Sequence, residues 1–161
     1  MMKVLDNFLR QEDYDKLIDV FNNAHWMYNS MIVHEGEEDP NNYQFVFPAW
    51  RDGWTWNRDI VDIFSRYLDP VAWVRIKANF SPRREKLQEN SLHVDTNHGD
   101  WTGIYYVNSN NGYSHFYNGK KVESVANRMV IFPRETMHSG TTSTDDHRIV
   151  LNFNWFGTLV E

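Results

Sequence analysis

The 161 residues suffice for one domain with a real core and for little besides, since 41% of them are hydrophobic and 16% aromatic. A net charge of −6 supplies no electrostatic footprint for duplex nucleic acid or an anionic membrane. The absence of cysteine excludes a disulfide scaffold, cysteine-ligated zinc and a cysteine nucleophile.

In chain order, Leu5, Phe8 and Leu9 and then Tyr14, Leu17, Ile18 and Phe21 recur at helical steps, which predicts a short lead-in and a helix over about 11–23. The N-terminal stretch lacks the apolar run of a signal peptide, and no segment has the apolar length to cross a bilayer, so a soluble cytoplasmic protein is expected. Residues 34–42 are acidic and turn-forming, which predicts a surface loop, and residues 42–47 predict a short strand. A second helix is predicted from Asn57 to Leu68, ended by Asp69-Pro70 because a residue before proline avoids helical geometry. From Val71 onward the period changes to two. Strands are predicted over 71–80, 91–95, 102–108, 114–117, 121–125, 128–132, 136–142 and 148–156, with a hairpin turn at Asn118-Gly119. Helices followed by many short strands argue for a mainly β, α+β chain whose core is a sandwich or jelly roll. The chain is expected to be a single domain over 1–161, helical over about 1–70, with the β core over about 71–156. Loop 34–58 and the stretch Ser81–Asn90, with Trp50, Trp54 and Trp56 nearby, are the candidate lids, and Arg83, Arg84 and Lys86 are expected to be a solvated loop.

Two imidazoles and one carboxylate are the ligand set of a non-haem Fe(II) site with open coordination positions. His93-Val94-Asp95 and His138 offer that set. With seven histidines in the chain, a His-x-Asp spacing arises by chance roughly 0.6 times, and His98-Gly99-Asp100 also fits it. Alternation puts His93 and Asp95 on one face of a short strand, whereas His98 and Asp100 sit in a turn that fixes side chains less well. Strand parity therefore favours the first pair. His25, His34, His115 and His147 are expected to be structural or surface residues. In the last strand Ile149, Leu151, Phe153 and Trp155 share one face, while Arg148, Val150, Asn152 and Asn154 share the other. If the apolar face packs on the helices, Arg148 points inward. A buried guanidinium needs an anion, and a bound carboxylate would supply it.

Residues 93–108, HVDTNHGDWTGIYYVN, resemble the prolyl-hydroxylase-like 2-oxoglutarate/Fe(II) dioxygenases, in which a His-x-Asp strand precedes a loop and a Tyr-Tyr strand. Residues 111–119 resemble that family's glycine-rich strand and hairpin, and Asn127-Arg128-Met129-Val130-Ile131-Phe132 its next strand, followed by a distal His and an Arg. The resemblance covers about residues 71–156 and is strongest to short stand-alone bacterial and phage members. It implies a double-stranded β-helix with buttressing helices. It also implies His93, Asp95 and His138 as iron ligands, which settles the choice against His98, and Arg148 with Tyr106 on the distal carboxylate of 2-oxoglutarate. The implied reaction couples oxidative decarboxylation of 2-oxoglutarate, with Fe(II) and O₂, to hydroxylation of a C–H bond. The implied substrate is peptidyl-proline or another amino-acid-like molecule, handled without nucleic acid or membrane by a monomer or weak homodimer. Two positions depart from the family pattern: Asn79 and Phe80 stand where a tyrosine often positions the co-substrate, and Tyr113 interrupts a glycine pair after Gly112. A cupin-like metal protein would have no use for Arg148 with Tyr106. A nucleic-acid demethylase of the same superfamily would resemble a second Arg where Asn154 stands, and a non-enzymatic jelly-roll module would leave the histidines incidental.

Overall fold

Strand alternation decides the architecture. The computed structural model describes residues 1–30, 39 and 41–158. In chain order its elements are β1 (Lys3–Leu5), α1 (Gln11–Asn22), β2 (Met27–Asn29), β3 (Gln44–Arg51), β4 (Trp54–Thr55), α2 (Arg58–Leu68), β5 (Ala72–Ser81), β6 (Trp101–Tyr106), β7 (Tyr113–Phe116), β8 (Lys121–Glu123), β9 (Arg128–Pro133), β10 (His138–Gly140) and β11 (Arg148–Phe156). A major sheet has the order β1-β9-β6-β11-β5-β3-β2, with β4 paired to β3, and a minor sheet has the order β10-β7-β8. Every named pairing is antiparallel. Single bridges Glu89↔Thr141 and His93↔His138 lay the segment before β6 alongside β10, on the open edge of the minor sheet. This is the expected jelly roll, a double-stranded β-helix with helices on the outer face of its larger sheet.

The helices pack where the alternation of β11 puts apolar surface. Ile149, Leu151, Phe153 and Trp155 form one buried cluster with Leu17 and Phe21 of α1 and Ile60, Ile63, Phe64 and Leu68 of α2. The Asn57 side chain caps α2 by accepting from Ile60 N, and Asp69 closes it in the left-handed conformation just before Pro70. On the opposite face Val150 joins Ile104, Tyr106, Phe116, Val122, Val130 and Phe132 in a second cluster between the sheets.

Three expectations need correction. The N-terminal lead-in is itself a strand: β1 pairs with β9, and Asn127 then ties the next residues down. Its Oδ1 accepts from Leu9 N at 2.8 Å and from the Tyr105 hydroxyl at 2.8 Å, while its Nδ2 donates to Leu9 O at 2.9 Å. Residues 91–95 are not a strand, because only His93 is paired. Within the predicted loop 34–58, residues 44–55 are not a loop either: β3 and β4 form a hairpin whose turn residues Asp52 and Gly53 have φ of 52° and 81°, the type I′ geometry that Asp-Gly favours. The predicted surface loop 34–42, and His34 with it, falls largely outside the described residues.

Phe153 is fully buried, with its ring 4.4 Å from that of Phe64 and 5.8 Å from that of Trp73. Phe153→Ala is expected to cost about 3–5 kcal/mol. Urea unfolding checks this as a lower midpoint at unchanged slope.

Candidate metal centre

Backbone pairing brings the two predicted imidazoles together. His93 N donates to His138 O at 2.9 Å and His138 N to His93 O at 3.0 Å, so the two residues form a hydrogen-bonded antiparallel pair with side chains on the same side. Asp95, two residues on, joins them. Its Oδ1 lies 3.5 Å from His93 Nε2 and 3.9 Å from His138 Nε2. Two donors each about 2.1 Å from one ion lie at most about 4.2 Å apart; both carboxylate–imidazole separations meet that limit, and all three donor atoms lie within 4.8 Å of one another. Among the described residues this is the one group of three metal-ligating side chains close enough to share an ion. Of the rival pair, His98 stays in an exposed turn and Asp100 accepts from Gly157 N at 2.9 Å.

Both rings are oriented in the same way. His93 Nδ1 faces Ser91 O at 3.1 Å and His138 Nδ1 faces Thr136 O at 2.9 Å. A carbonyl only accepts, so Nδ1 carries the proton in each ring and Nε2 presents its lone pair to the site. The rings of Phe132 and Phe116 wall in His138, which is 3% exposed against 24% for His93, so the site opens on the His93 side. Burial raises the Asp95 pKa, but the Arg75 guanidinium and the two imidazoles outweigh it and hold the carboxyl well below its ordinary value. Arg75 Nη2 is 3.1 Å from Asp95 Oδ2, a charge pair without hydrogen-bond alignment. Behind it Arg75 Nε donates to Asn154 Oδ1 at 3.2 Å and Asn154 Nδ2 to Thr102 Oγ1 at 3.0 Å.

A chamber of about 70 Å³ runs inward from the triad between the sheets, and Arg148 forms part of its wall. This arginine is 5% exposed, and burial pushes its pKa down. Its Nε donates to Ser124 Oγ at 2.9 Å and its Nη2 to Ser114 Oγ at 3.3 Å, and its guanidinium carbon lies 5.7 Å from the centre of the Tyr106 ring. No described carboxylate pairs with it. Two glycines make its room: a Cβ on Gly112 would sit 2.8 Å from Arg148 Cδ, and one on Gly140 3.1 Å from Nη1. Tyr106 is fully buried and donates to Val122 O over 3.4 Å. The donor set suits an ion such as Fe(II), and the arginine without an acid suits a carboxylate ligand.

No family model and no curated protein matches the sequence. Solved structures do match. A prolyl hydroxylase from Trichoplax adhaerens, in complex with a hypoxia inducible factor oxygen degradation domain peptide fragment, superposes with a TM-score of 0.67 at 13% identity, over 96% of this chain and 83% of its own. A prolyl-4-hydroxylase from Pseudomonas putida gives 0.65 at 11% identity, over 96% and 92%. A 2OG-Fe(II) oxygenase family oxidoreductase from Burkholderia pseudomallei gives 0.66 at 9% identity, over 99% and 88%. The fold is that of the prolyl-hydroxylase-like 2OG-Fe(II) oxygenases.

Within this oxygenase fold the two departures acquire a physical meaning. Asn79 lines the chamber, whereas Phe80 turns to the other face of β5 and packs on Trp26 and Phe45. Tyr113 points away from Arg148, donates to Glu89 at 2.7 Å and lies under Lys121, so only the first glycine of the interrupted pair needs to be small. His115 meets Asn90 O and His147 meets Asp146, as befits structural histidines. Sequence reasoning missed Arg75 and Lys77. The signal was available, since from Arg75 onward β5 alternates Arg75, Lys77, Asn79 and Ser81 with Ile76, Ala78 and Phe80, which is the mixed-face pattern already visible in β11.

Mn(II) at about a hundred times its Kd is expected to raise Tm by roughly 5–10 °C in a scanning calorimeter. His138→Ala should abolish the rise and His98→Ala should leave it intact. The pH dependence has a definite sign. Burial lowers the His93 pKa, but hydrogen bonding to Asp95 and its charge raise it further, for a net rise, and a ring must be deprotonated at Nε2 to bind. The stabilisation by Mn(II) is therefore full at alkaline pH and fades as pH falls through the raised His93 pKa.

Proposed function

We propose that the protein is a 2-oxoglutarate- and Fe(II)-dependent oxygenase, the whole chain acting as one domain, that hydroxylates a C–H bond of an amino-acid-like substrate. The observation that carries this reading is the buried Arg148, without an acid, on the wall of the chamber that also holds the His93–Asp95–His138 triad. A plain metal-binding protein gains nothing from a desolvated guanidinium there, since a buried unpaired charge costs several kcal/mol.

In this reading His93 Nε2, Asp95 Oδ1 and His138 Nε2 would hold the ion. Arg148, held by Ser114 and Ser124, would bind the distal carboxylate of 2-oxoglutarate, and the Tyr106 hydroxyl would donate to the same carboxylate. When bound, Fe(II), 2-oxoglutarate and O₂ would supply oxidative decarboxylation to succinate and CO₂ coupled to hydroxylation of the substrate. The chain would contribute orientation, and an apolar wall of Ile104 and Val150 backed by Phe116 and Phe132. The Trichoplax adhaerens neighbour holds a peptide, which makes peptidyl-proline one candidate substrate beside free amino-acid-like molecules.

Succinate formation from 2-oxoglutarate, measured aerobically with Fe(II), tests the proposal. Wild type is expected to form succinate and His138→Ala none; equal turnover in the two would refute the triad. Arg148→Gln should raise the half-saturating 2-oxoglutarate concentration at least about tenfold, or ~1.4 kcal/mol, while the Mn(II)-induced rise in Tm persists. An unchanged requirement would remove Arg148 from the co-substrate site.

A further inference from the structure

The chamber has a second cationic group that the co-substrate does not use. Lys77 projects from β5 into it and is partly buried, and its ammonium makes no hydrogen bond or ion pair with any described residue. Its position along the sheet is fixed by register. Arg148 pairs with Ser81, and Lys77 lies four residues back along β5, opposite Asn152. That is about 13 Å of strand, so one small dicarboxylate cannot span from the metal to Arg148 and reach Lys77 with the same distal group. Lys77 is at the metal end, since Arg75, its next neighbour on the same face, touches Asp95.

Charge then decides what Lys77 meets. Arg75 is occupied by Asp95. Arg148 would take the distal carboxylate of 2-oxoglutarate, and the dication would meet the charge of the co-substrate's other carboxylate. Lys77 and Arg148 line the chamber with Asp95, and Arg75 pairs with that carboxylate from behind, so adding a dication and a dianion leaves two positive charges unmatched. Burial, with the nearby Arg75 charge, pushes the Lys77 pKa down to about 8 against the opposing pull of Asp95, so the group is still a cation near neutral pH. Beside it the buried Oδ1 of Asn79 has no donor. The cation complements a carboxylate, and the acceptor beside it can take an N–H where the substrate carries one.

We propose that Lys77 is the anchor for a free carboxylate of the primary substrate, so that the oxygenase acts on an α-amino acid or a C-terminal residue rather than on an internal peptide position. This rests on the co-substrate reading above. The full chain loaded with Mn(II), which does not turn over, is first titrated with 2-oxoglutarate and then, saturated with it, with matched probes: acetate and acetamide, L-proline and L-prolinamide, glycyl-L-proline and glycyl-L-prolinamide. Paramagnetic broadening of the probe protons by NMR gives each Kd. In wild type each acid is expected to bind at least about tenfold tighter than its amide, corresponding to ~1.4 kcal/mol. Lys77→Met should erase the preference and Lys77→Arg should retain it. A preference for L-proline over glycyl-L-proline identifies a free amino acid, and the reverse a chain end. Equal binding of acids and amides in wild type overturns the anchor while the co-substrate reading stands, as does a preference that survives Lys77→Met. Failure of 2-oxoglutarate to bind at the first step overturns both.

Discussion

The pairing of β5 with β11 is the constraint on which both core and site depend. Each strand is apolar on one face and polar on the other, and their register locks the two patterns into phase. One face of the pair, with Ile76, Ala78, Leu151 and Phe153, closes against α1 and α2. The other presents Arg75, Lys77, Asn79, Arg148 and Asn152 to the space between the sheets. A slip of one residue would bury the charges under the helices and expose the core, so burial enforces the register that the site needs.

The site is costly in stability and gains orientation in return. Arg148, Asp95 and Arg75 are charges taken wholly or partly out of water, and a desolvated charge is repaid only by well-placed partners. Asp95 has Arg75 and two imidazoles. Arg148 has two serine hydroxyls and an aromatic face, which hold its fork in position without neutralising it. The helix side of the sheet, with fully buried Phe64, Phe153 and Trp155, is where the compensating apolar burial lies. Groups fixed in advance need not reorganise when a ligand arrives.

Much of this was legible in the sequence because period two is a strong signal where strands are long. The bounds and facing of β11 followed from its alternation, and the inward turn of Arg148 followed from that facing. The structure also groups His93 and Asp95, rather than His98 and Asp100, with His138, although not for the reason the alternation suggested. Residues 91–95 are not a strand; one bridge to His138 does the work assigned to five residues of alternation. β1 and β2 escaped because three residues carry too little pattern to be distinguished from a lead-in. β4 and its hairpin escaped because Trp50, Trp54 and Trp56 drew attention to a lid, when Asp52-Gly53 was the decisive pair. Arg75 and Lys77 went unweighed because a bulge between Asn154 and Trp155 breaks the parity at the start of β5, and the pattern is regular only beyond it.

The anchoring of the two imidazoles through carbonyls two residues back sets what mutation can do to these candidate ligands. Histidine ligands are commonly oriented by a neighbouring carboxylate, which a single substitution removes. Here the acceptors are main-chain oxygens of Ser91 and Thr136, present whatever side chains those positions carry. Proton placement on both rings is thereby a property of chain conformation. Sequence drift around the ligands can change the mouth of the chamber, and the molecules admitted to it, while the two rings keep presenting the same nitrogen.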